Sequence, residues 1–511
     1  MIFTGPRPRV PVPETTFTAY VLQRAQQYAA KVAAVDVAGE SQYTYAQFES
    51  AVRRVAGGLQ AHGFRKGDVL ALLTPNVPEN PIAYHAAALA GGTALMLNPL
   101  DLADDLVAHL AEAGARLIVT MPDEVDKVLA LADRTKVETI FVLGEADGAT
   151  AFADLLAADP VAEPPVDPAQ DVVTILHSSG STGYPKGVLL THRNMIANVL
   201  QTSVVAPLGE DERVLAVPPF HHAFGLIMVM NASLLQGATL VTMPRFDPEA
   251  YLRAIQEHRI TRLYVVPTIA VLLAKSPLVD QYDLSSVRSI VSGGAALDPE
   301  TARLVRERLG CRIGQGYGLT EALVSFMQAE QPGDPGSVGH NSPNIECKIV
   351  DVATGAELGV DQDGEILVRG PHVMKGYLND EEATRKVLEP DGFLHTGDLG
   401  RVDAAGELFI VDRIKELIKY KGQQVSPVEL EAVLMSNPKI ADAAVVGVRD
   451  EDAGELPKGF VVLRRPATAE EIMAFVAERV APYKKIRRIE FIDQIPRTPV
   501  GKVQRRTLQD R

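Results

Sequence analysis

The stretch TILHSSGSTGYPKGVLLTH spans Thr174 to His192. An apolar, β-branched run leads into Ser178, Ser179, Gly180, Ser181, Thr182 and Gly183, and Pro185, Lys186 and Gly187 follow. Glycines let backbone N–H groups approach an anion, hydroxyls donate further hydrogen bonds, and a lysine adds a point charge, so these residue types suit a phosphate. The spacing is not that of a Walker A loop, in which GK[ST] opens a helix. Pro185 donates no N–H and disfavours the helical region for Tyr184. Val188, Leu189 and Leu190 then read as a strand. The expectation is a strand, a loop folded over a nucleotide, and a second strand. Taken alone, such a run is more often a polar linker.

The chain around this stretch has 511 residues, more than a typical single domain. Hydrophobic residues make up 46% and charged residues 23%, an ordinary globular balance that can bury a sizeable core. A net charge of −15 argues against nucleic acid as a partner of the whole molecule. Cys311 and Cys347 fit neither a disulfide framework nor a metal spacing, which favours a cytoplasmic setting. The opening MIFTGPRPRVPVPETTF has no apolar core of the signal-peptide kind.

Two uncharged stretches, Pro81 to Leu100 and Ala223 to Met243, approach membrane-spanning length. Glycines break both. His85 and Asn98 lie in the first, Asn231 and Gln236 in the second. Each is expected to be a buried helix, a glycine turn and a buried strand, and no integral membrane span is expected. AALAGGTALML and ASLLQGATLVT also resemble each other, as a weakly repeated αβ unit would.

Apolar strand candidates recur: VLALLT from Val69, RLIVTM from Arg116, TIFVLG from Thr139, RLYVVP from Arg262 and VRSIVSGG from Val287. Helical patterns separate them, such as Pro299 to Gly310, with Asp298 as N-cap and Pro299 in the first position. This alternation predicts an α/β fold of two doubly wound subdomains. Between residues 338 and 411, GEILVRG, GFLHTGDLGRV and GELFIVDR predict a small antiparallel barrel or sheet, with HTGDLG as a turn.

A domain boundary is expected near Asp412. Residues 1–411 form the large domain, 412–415 a hinge, and 416–511 a small mobile α+β domain. SPVELEAVLMSNP predicts a helix with Ser426 as N-cap, Pro427 first, and Glu429 reaching back. From Ala481 to Arg511 there are nine Lys/Arg against three Asp/Glu, a local +6 that leaves −21 for the rest. A basic tail is usually a solvated face, but it also suits polyphosphate.

SGGAAL (Ser292 to Leu297) and GQGYGLTE (Gly314 to Glu321) are expected to follow strands, with Thr320-Glu321 as a helix cap. RTPVGK (Arg497 to Lys502) lies near the end. Individually each is weak. GQGYG is not the dinucleotide fingerprint. Together, in order, SSGSTGYPKG, GQGYGLTE, HTGDLG, DRIKELIKYKG and PRTPVGK resemble the adenylate-forming superfamily over essentially the whole chain, and KELIKYKGQQVSPVELE is similar to the acyl-CoA synthetase and 4-coumarate–CoA ligase branch.

The resemblance implies an ATP-dependent carboxylic acid–CoA ligase that uses ATP, Mg²⁺ and coenzyme A. A substrate carboxylate attacks the α-phosphate, pyrophosphate leaves, and a thiol then displaces AMP from the acyl-adenylate. It also implies roles. Ser178 to Lys186 would clasp the β- and γ-phosphates. Gly294, Ala295 and Ala296 would line the adenine and acyl sites. Gln315, Gly316 and Gly318 would join Tyr317, which packs on adenine. Thr320 would bond the α-phosphate, Glu321 would help hold Mg²⁺, and Asp398 would take both ribose hydroxyls. Arg413 and Lys415 would reach the nucleotide. Lys502 would serve adenylation, assisted by Lys419 and Gln424. Lys421, Gly422 and Arg245 would meet CoA. His222 would stand near the acyl group, whereas His221 would be structural.

The acid pocket implied by the same resemblance comprises Ala223, Phe224, Met228, Val291, Gly294, Gly316, Val324 and Ser325. All but Ser325 are apolar or glycine. Phe224 replaces a tyrosine common in plant 4-coumarate ligases, and Leu323-Val324 replaces a Gly-Pro pair. Such a pocket favours an apolar acid, either a medium or long fatty acid or an aryl acid such as cinnamate. The acceptor is CoA or a carrier-protein pantetheine. Other readings remain open: an acyl-AMP ligase, a luciferase-like oxygenase, or, in another class, a nucleotide-sensing module or phosphate-releasing ATPase.

Overall fold

The computed structural model describes residues 1–178, 185–328, 334, 336–421, 423–450, 452–498 and 503–509. The strands that flank the phosphate-loop motif, Val172–Ser178 and Lys186–Thr191, pair antiparallel, with Lys186 opposite Ser178. They belong to an eight-stranded sheet. Its parallel part contains Thr93–Met96, Val69–Leu73, Leu117–Thr120 and Thr139–Val142, in that spatial order.

A nine-stranded sheet runs through Arg312–Leu319, Ser289–Ser292, Arg262–Val265, Arg213–Ala216, Thr239–Thr242 and Val32–Asp36, all parallel. Arg213–Ala216 lies between the two strands that follow it in sequence. The strand order therefore reverses there, and the crevice beyond the carboxyl ends of such strands is where open α/β sheets bind ligands. One large apolar core joins residues of both sheets, including Leu70, Leu190, Val214 and Val291.

Both uncharged stretches form the expected buried units. Helix Glu79–Leu89 leads through Gly91 into Thr93–Met96. The π-helical segment Gly225–Asn231 and helix Ala232–Gln236 lead through Gly237 into Thr239–Thr242. Among the described residues no helix is long and apolar enough to cross a membrane.

The third unit is a five-stranded antiparallel sheet that ends in Leu394–Val402 and Leu408–Arg413. HTGDLG is not a turn. It lies inside Leu394–Val402, where the pairing with Gly364–Arg369 loses register and Gly397 takes φ +71. The glycine serves a bulge, which re-aims a side chain without ending the strand. GQGYGL likewise lies within Arg312–Leu319 rather than after it. Thr320-Glu321 caps no helix but turns the chain into Leu323–Met327, whose five residues are all buried.

Asp412 and Arg413 complete the third sheet, and Ile414–Glu416 forms a 3-10 turn. Beyond it, Ile418–Tyr420, Gln423–Val425, Ile440–Asp450, Gly454–Leu463 and Arg488–Phe491 make a separate sheet with its own core. Helix Pro427–Met435 is capped by Ser426, which accepts from the Glu429 N–H. The Glu429 carboxylate does not reach back. It binds the Lys484 ammonium at 2.6 Å, because a full ion pair outcompetes a neutral backbone donor.

Candidate active site

A cavity of about 520 Å³ opens at the carboxyl ends of the nine-stranded sheet, and it gathers the motifs that the sequence scatters. Gly293 and Gly294 come from the end of Ser289–Ser292, and Gly316 to Glu321 from the strand beside it. His222, Ala223, Phe224 and Met228 enter from the π-helical segment and its approach. Gly225 allows that approach, since a Cβ there would stand 2.1 Å from the Pro219 carbonyl oxygen. Ser178 reaches the cavity from the eight-stranded sheet, and its buried hydroxyl has no hydrogen-bond partner among the described residues. Ser179, Gly180, Ser181, Thr182 and Gly183 lie outside the described residues.

On the polar side, Tyr317 Oη donates to Asp398 Oδ2 at 2.6 Å, and Arg413 Nε lies 3.0 Å from Asp398 Oδ1. Asp398 is 3% exposed and sits behind the wall that Tyr317 and Arg413 form. Burial, with the carboxylate beside it, holds the Tyr317 phenol well above its ordinary range, so it stays a donor. Glu321 accepts from Tyr377 Oη at 2.9 Å through Oε1. Lys186 Nζ stands 3.3 Å from Asp380 Oδ2 and 5.0 Å over the Tyr377 ring.

The last sheet contributes Lys419 and Gln424, which face each other across the hairpin of Ile418–Tyr420 and Gln423–Val425. Lys415 lines the cavity as well, and burial with the neighbouring Arg413 charge holds its ammonium below the usual lysine range. Lys421, at φ +48, occupies the hairpin turn outside the cavity wall. Gly422 and Lys502 lie outside the described residues. Among the described residues no group of three His, Cys, Asp or Glu side chains is placed to hold a metal ion. A single carboxylate such as Glu321 suits Mg²⁺ when phosphate oxygens complete the coordination.

The apolar side of the cavity holds Ala223, Phe224, Met228, Val291, Gly294, Gly316 and Val324. His222 is there too, its Nδ1 accepting the Phe224 N–H at 3.3 Å, which leaves the proton of a neutral ring on Nε2. Burial pushes His221 down to about 4 and keeps it neutral. Ser325 departs from expectation. It is fully buried and bonded to Ala322 O at 3.0 Å and His372 Nε2 at 3.1 Å, facing away from the cavity.

Four further expected residues fall outside the cavity wall. Ala295 and Ala296 are exposed beyond it, and so is Arg245. Gln315 is buried behind it, donating to Ser337 O at 2.9 Å and accepting from Leu297 N–H at 3.2 Å. The structure adds Gly293, Leu323, Met327, Glu365, Tyr377 and Thr396. Gly293 and Thr396 sit inside motifs already singled out. Leu323 was marked only as a departure from Gly-Pro, and Tyr377 carries no local signal.

With this geometry in place, comparison with known proteins identifies the lineage. Residues 21–378 match the AMP-binding enzyme family, and residues 429–502 match the AMP-binding enzyme C-terminal domain. The chain belongs to the AMP-binding enzyme family. It is an adenylate-forming enzyme of the acyl-CoA synthetase branch. It is 39% identical to 4-coumarate--CoA ligase 1 of Solanum tuberosum, over 100% of this chain and 96% of that one. It is 40% identical to 4-coumarate--CoA ligase 3 of Oryza sativa subsp. japonica, over 100% and 95%. Among solved structures, ATP-bound MatB from Rhodopseudomonas palustris superposes with TM-score 0.89 at 30% identity, covering 98% of this chain and 99% of that one. The anthranilate CoA ligase AuaEII with anthranoyl-AMP gives 0.90 at 26% identity, covering 98% of each.

Proposed function

We propose that this enzyme joins an apolar carboxylic acid to coenzyme A at the expense of ATP. One observation carries the reading: a single cavity sets the Tyr317, Asp398 and Arg413 cluster and the Thr320-Glu321 turn against an apolar compartment that holds His222. A carboxylate is a poor electrophile, so it must first gain a leaving group, and two anions must be screened to meet. A carboxylate oxygen attacks the α-phosphorus of ATP, and the bond to pyrophosphate breaks. The CoA sulfur then attacks the acyl carbon, and the C–O bond to AMP breaks.

In this reading Tyr317 packs on adenine, Asp398 and Arg413 hold the ribose, and Thr320 bonds the α-phosphate. Ser178 and Lys186, with the loop between them, hold the β- and γ-phosphates. Lys502 serves adenylation with Lys419 and Gln424, while Lys421 and Gly422 meet CoA. A magnesium ion, when bound, would offset phosphate charge, and Glu321 is the residue that would hold it. Residues 1–411 form the large domain and 416–511 the small one, turning at 412–415 between the two steps. We place the reaction in the cytoplasm, where ATP and CoA are both supplied.

The acid is an aryl acid such as cinnamate or a medium to long fatty acid, supported by the carbon-lined compartment and by relatives named 4-coumarate--CoA ligases. The test is a panel of acids scored by pyrophosphate release, with and without CoA. Acid-dependent pyrophosphate with CoA-dependent thioester is the expected result. Phosphate instead of pyrophosphate would sink it. Thioester formed only on a carrier protein would replace CoA with a protein-bound pantetheine.

A further inference from the structure

The Lys186 ammonium stands 3.3 Å from Asp380 Oδ2, and backbone pairing brings the two together. The short strand Gly376–Tyr377 lies antiparallel to Lys186–Thr191, with Tyr377 opposite Val188, and the Leu378 N–H donates to Gly187 O at 2.7 Å. Asp380 then caps helix Glu381–Val387, its Oδ1 accepting the Ala383 N–H at 2.9 Å. One carboxylate oxygen thus serves the helix and the other faces the lysine. The Tyr377 ring lies beneath the same ammonium. Lys386, a second cation near Asp380, is taken by Glu382 at 2.6 Å. The Ala383 N–H, helped by Lys186, holds the Asp380 carboxyl below its usual range, so it is charged at neutral pH. Its charge is felt nearby, since burial and then Asp380 raise the Glu112 carboxyl above its own range.

In the ligase reading Lys186 is also a residue that meets the β- and γ-phosphates. A carboxylate beside an ammonium shares its donors and repels a second anion. We propose that Asp380 acts through Lys186 as a competing counter-anion, which loosens the hold on ATP and pyrophosphate and speeds the departure of pyrophosphate after adenylation. Asp380 is a positioning residue, because it touches the lysine and not the reacting atoms. The Lys186 and Asp380 side chains are 23% and 43% exposed, so water screens the pair and the effect is modest. The proposal rests on the ligase reading above and deepens it.

The experiment measures ATP and AMP affinity by calorimetry in magnesium buffer, for the full-length parent and for Asp380→Asn, which drops the charge and keeps a good helix cap. ATP should bind about twofold to fivefold more tightly to the variant, the scale of an exposed ion pair. AMP, which lacks the β- and γ-phosphates, should bind as it does to the parent. Pyrophosphate should inhibit thioester formation at correspondingly lower concentration. On a Lys186→Met background, which keeps the adenosine contacts, Asp380→Asn should leave ATP affinity unchanged. Equal or weaker ATP binding by Asp380→Asn overturns the role of Asp380 alone. So does tightening of AMP by the same factor, which marks a structural shift, or equal tightening on the Lys186→Met background, which marks plain repulsion. Asp380→Ser, also a helix cap, takes the place of an Asp380→Asn that does not melt cooperatively. A parent that binds no ATP, or releases no pyrophosphate when acid is added, overturns the ligase reading itself.

Discussion

Tyr317 and Asp398 are 81 residues apart in sequence, yet the phenol donates to the carboxylate at 2.6 Å, with Arg413 on the other oxygen at 3.0 Å. The polar side of the cavity is therefore pre-assembled around one buried carboxylate. Asp398→Ala should weaken ATP binding far more than acid binding, because charge-assisted hydrogen bonds are worth about 1.5–3 kcal/mol each. It should also free Tyr317 and Arg413 from their positions. ATP affinity equal to the parent's, by calorimetry, would remove Asp398 from the site.

Met228 lines the apolar compartment and is 1% exposed. Met228→Ala should admit bulkier acids, with discrimination shifting by about 1–3 kcal/mol per methylene-sized difference. An acid profile identical to the parent's would show that Met228 does not touch the substrate.

The two half-reactions should separate by lysine. Lys502→Ala should slow acyl-adenylate formation about 10²–10³-fold, the usual loss when a group that stabilises developing charge is removed. Given preformed acyl-adenylate and CoA, it should still make thioester. Lys421→Ala should spare pyrophosphate release and slow thioester formation. Equal damage to both steps by Lys502→Ala would rule out a two-pose mechanism.

His395 lies between Glu365 at 3.0 Å and Glu389 at 3.2 Å, and its bond to Glu365 raises its pKa above the ordinary 6.5. Because the folded value is the higher one, its stabilisation is fully present below about pH 6.5 and fades as pH climbs through the raised folded value. The melting-temperature gap between the parent and His395→Gln should therefore be widest in acid and narrow toward alkaline pH. A gap independent of pH would mean that His395 is neutral in the fold.

Ser426 caps helix Pro427–Met435 and donates to Asp412, whose carboxylate also takes the Val428 N–H at 3.3 Å. Ser426→Ala should cost about 0.5–2 kcal/mol for the lost cap. Burial already raises the Asp412 carboxyl above its usual range, so losing a donor should raise it further. Denaturant unfolding of the parent and variant checks the first figure.

The order of elements was legible because apolar runs and caps repeat with clear periods, as at Asp298 and Ser426. Glycine-rich motifs were misplaced because glycine is depleted from strand interiors, so GQGYGL and HTGDLG read as breaks. Their strands survive through pairing with distant neighbours, which sequence does not display. Ser325 carries a pocket-like position in the sequence, but its hydroxyl is taken by Ala322 O and His372 Nε2, partners that only the fold supplies. Tyr377 meets Glu321 across 56 residues, a proximity that only the fold creates.

Arg505 is fastened to Glu416 at 2.7 Å and to Val445 O at 3.0 Å, Arg497 bridges to Val503, and Arg497 also binds Asp442 at 2.8 Å. Residues 497 and 503–505 are thus moored to the last sheet and its approach. If residues 416–511 turn between the two steps as proposed, a segment moored in this way makes adenylation wait on a whole-body rotation rather than on the flicker of a loop. Viscosity, which slows rigid bodies far more than side chains, should then register in the first half-reaction.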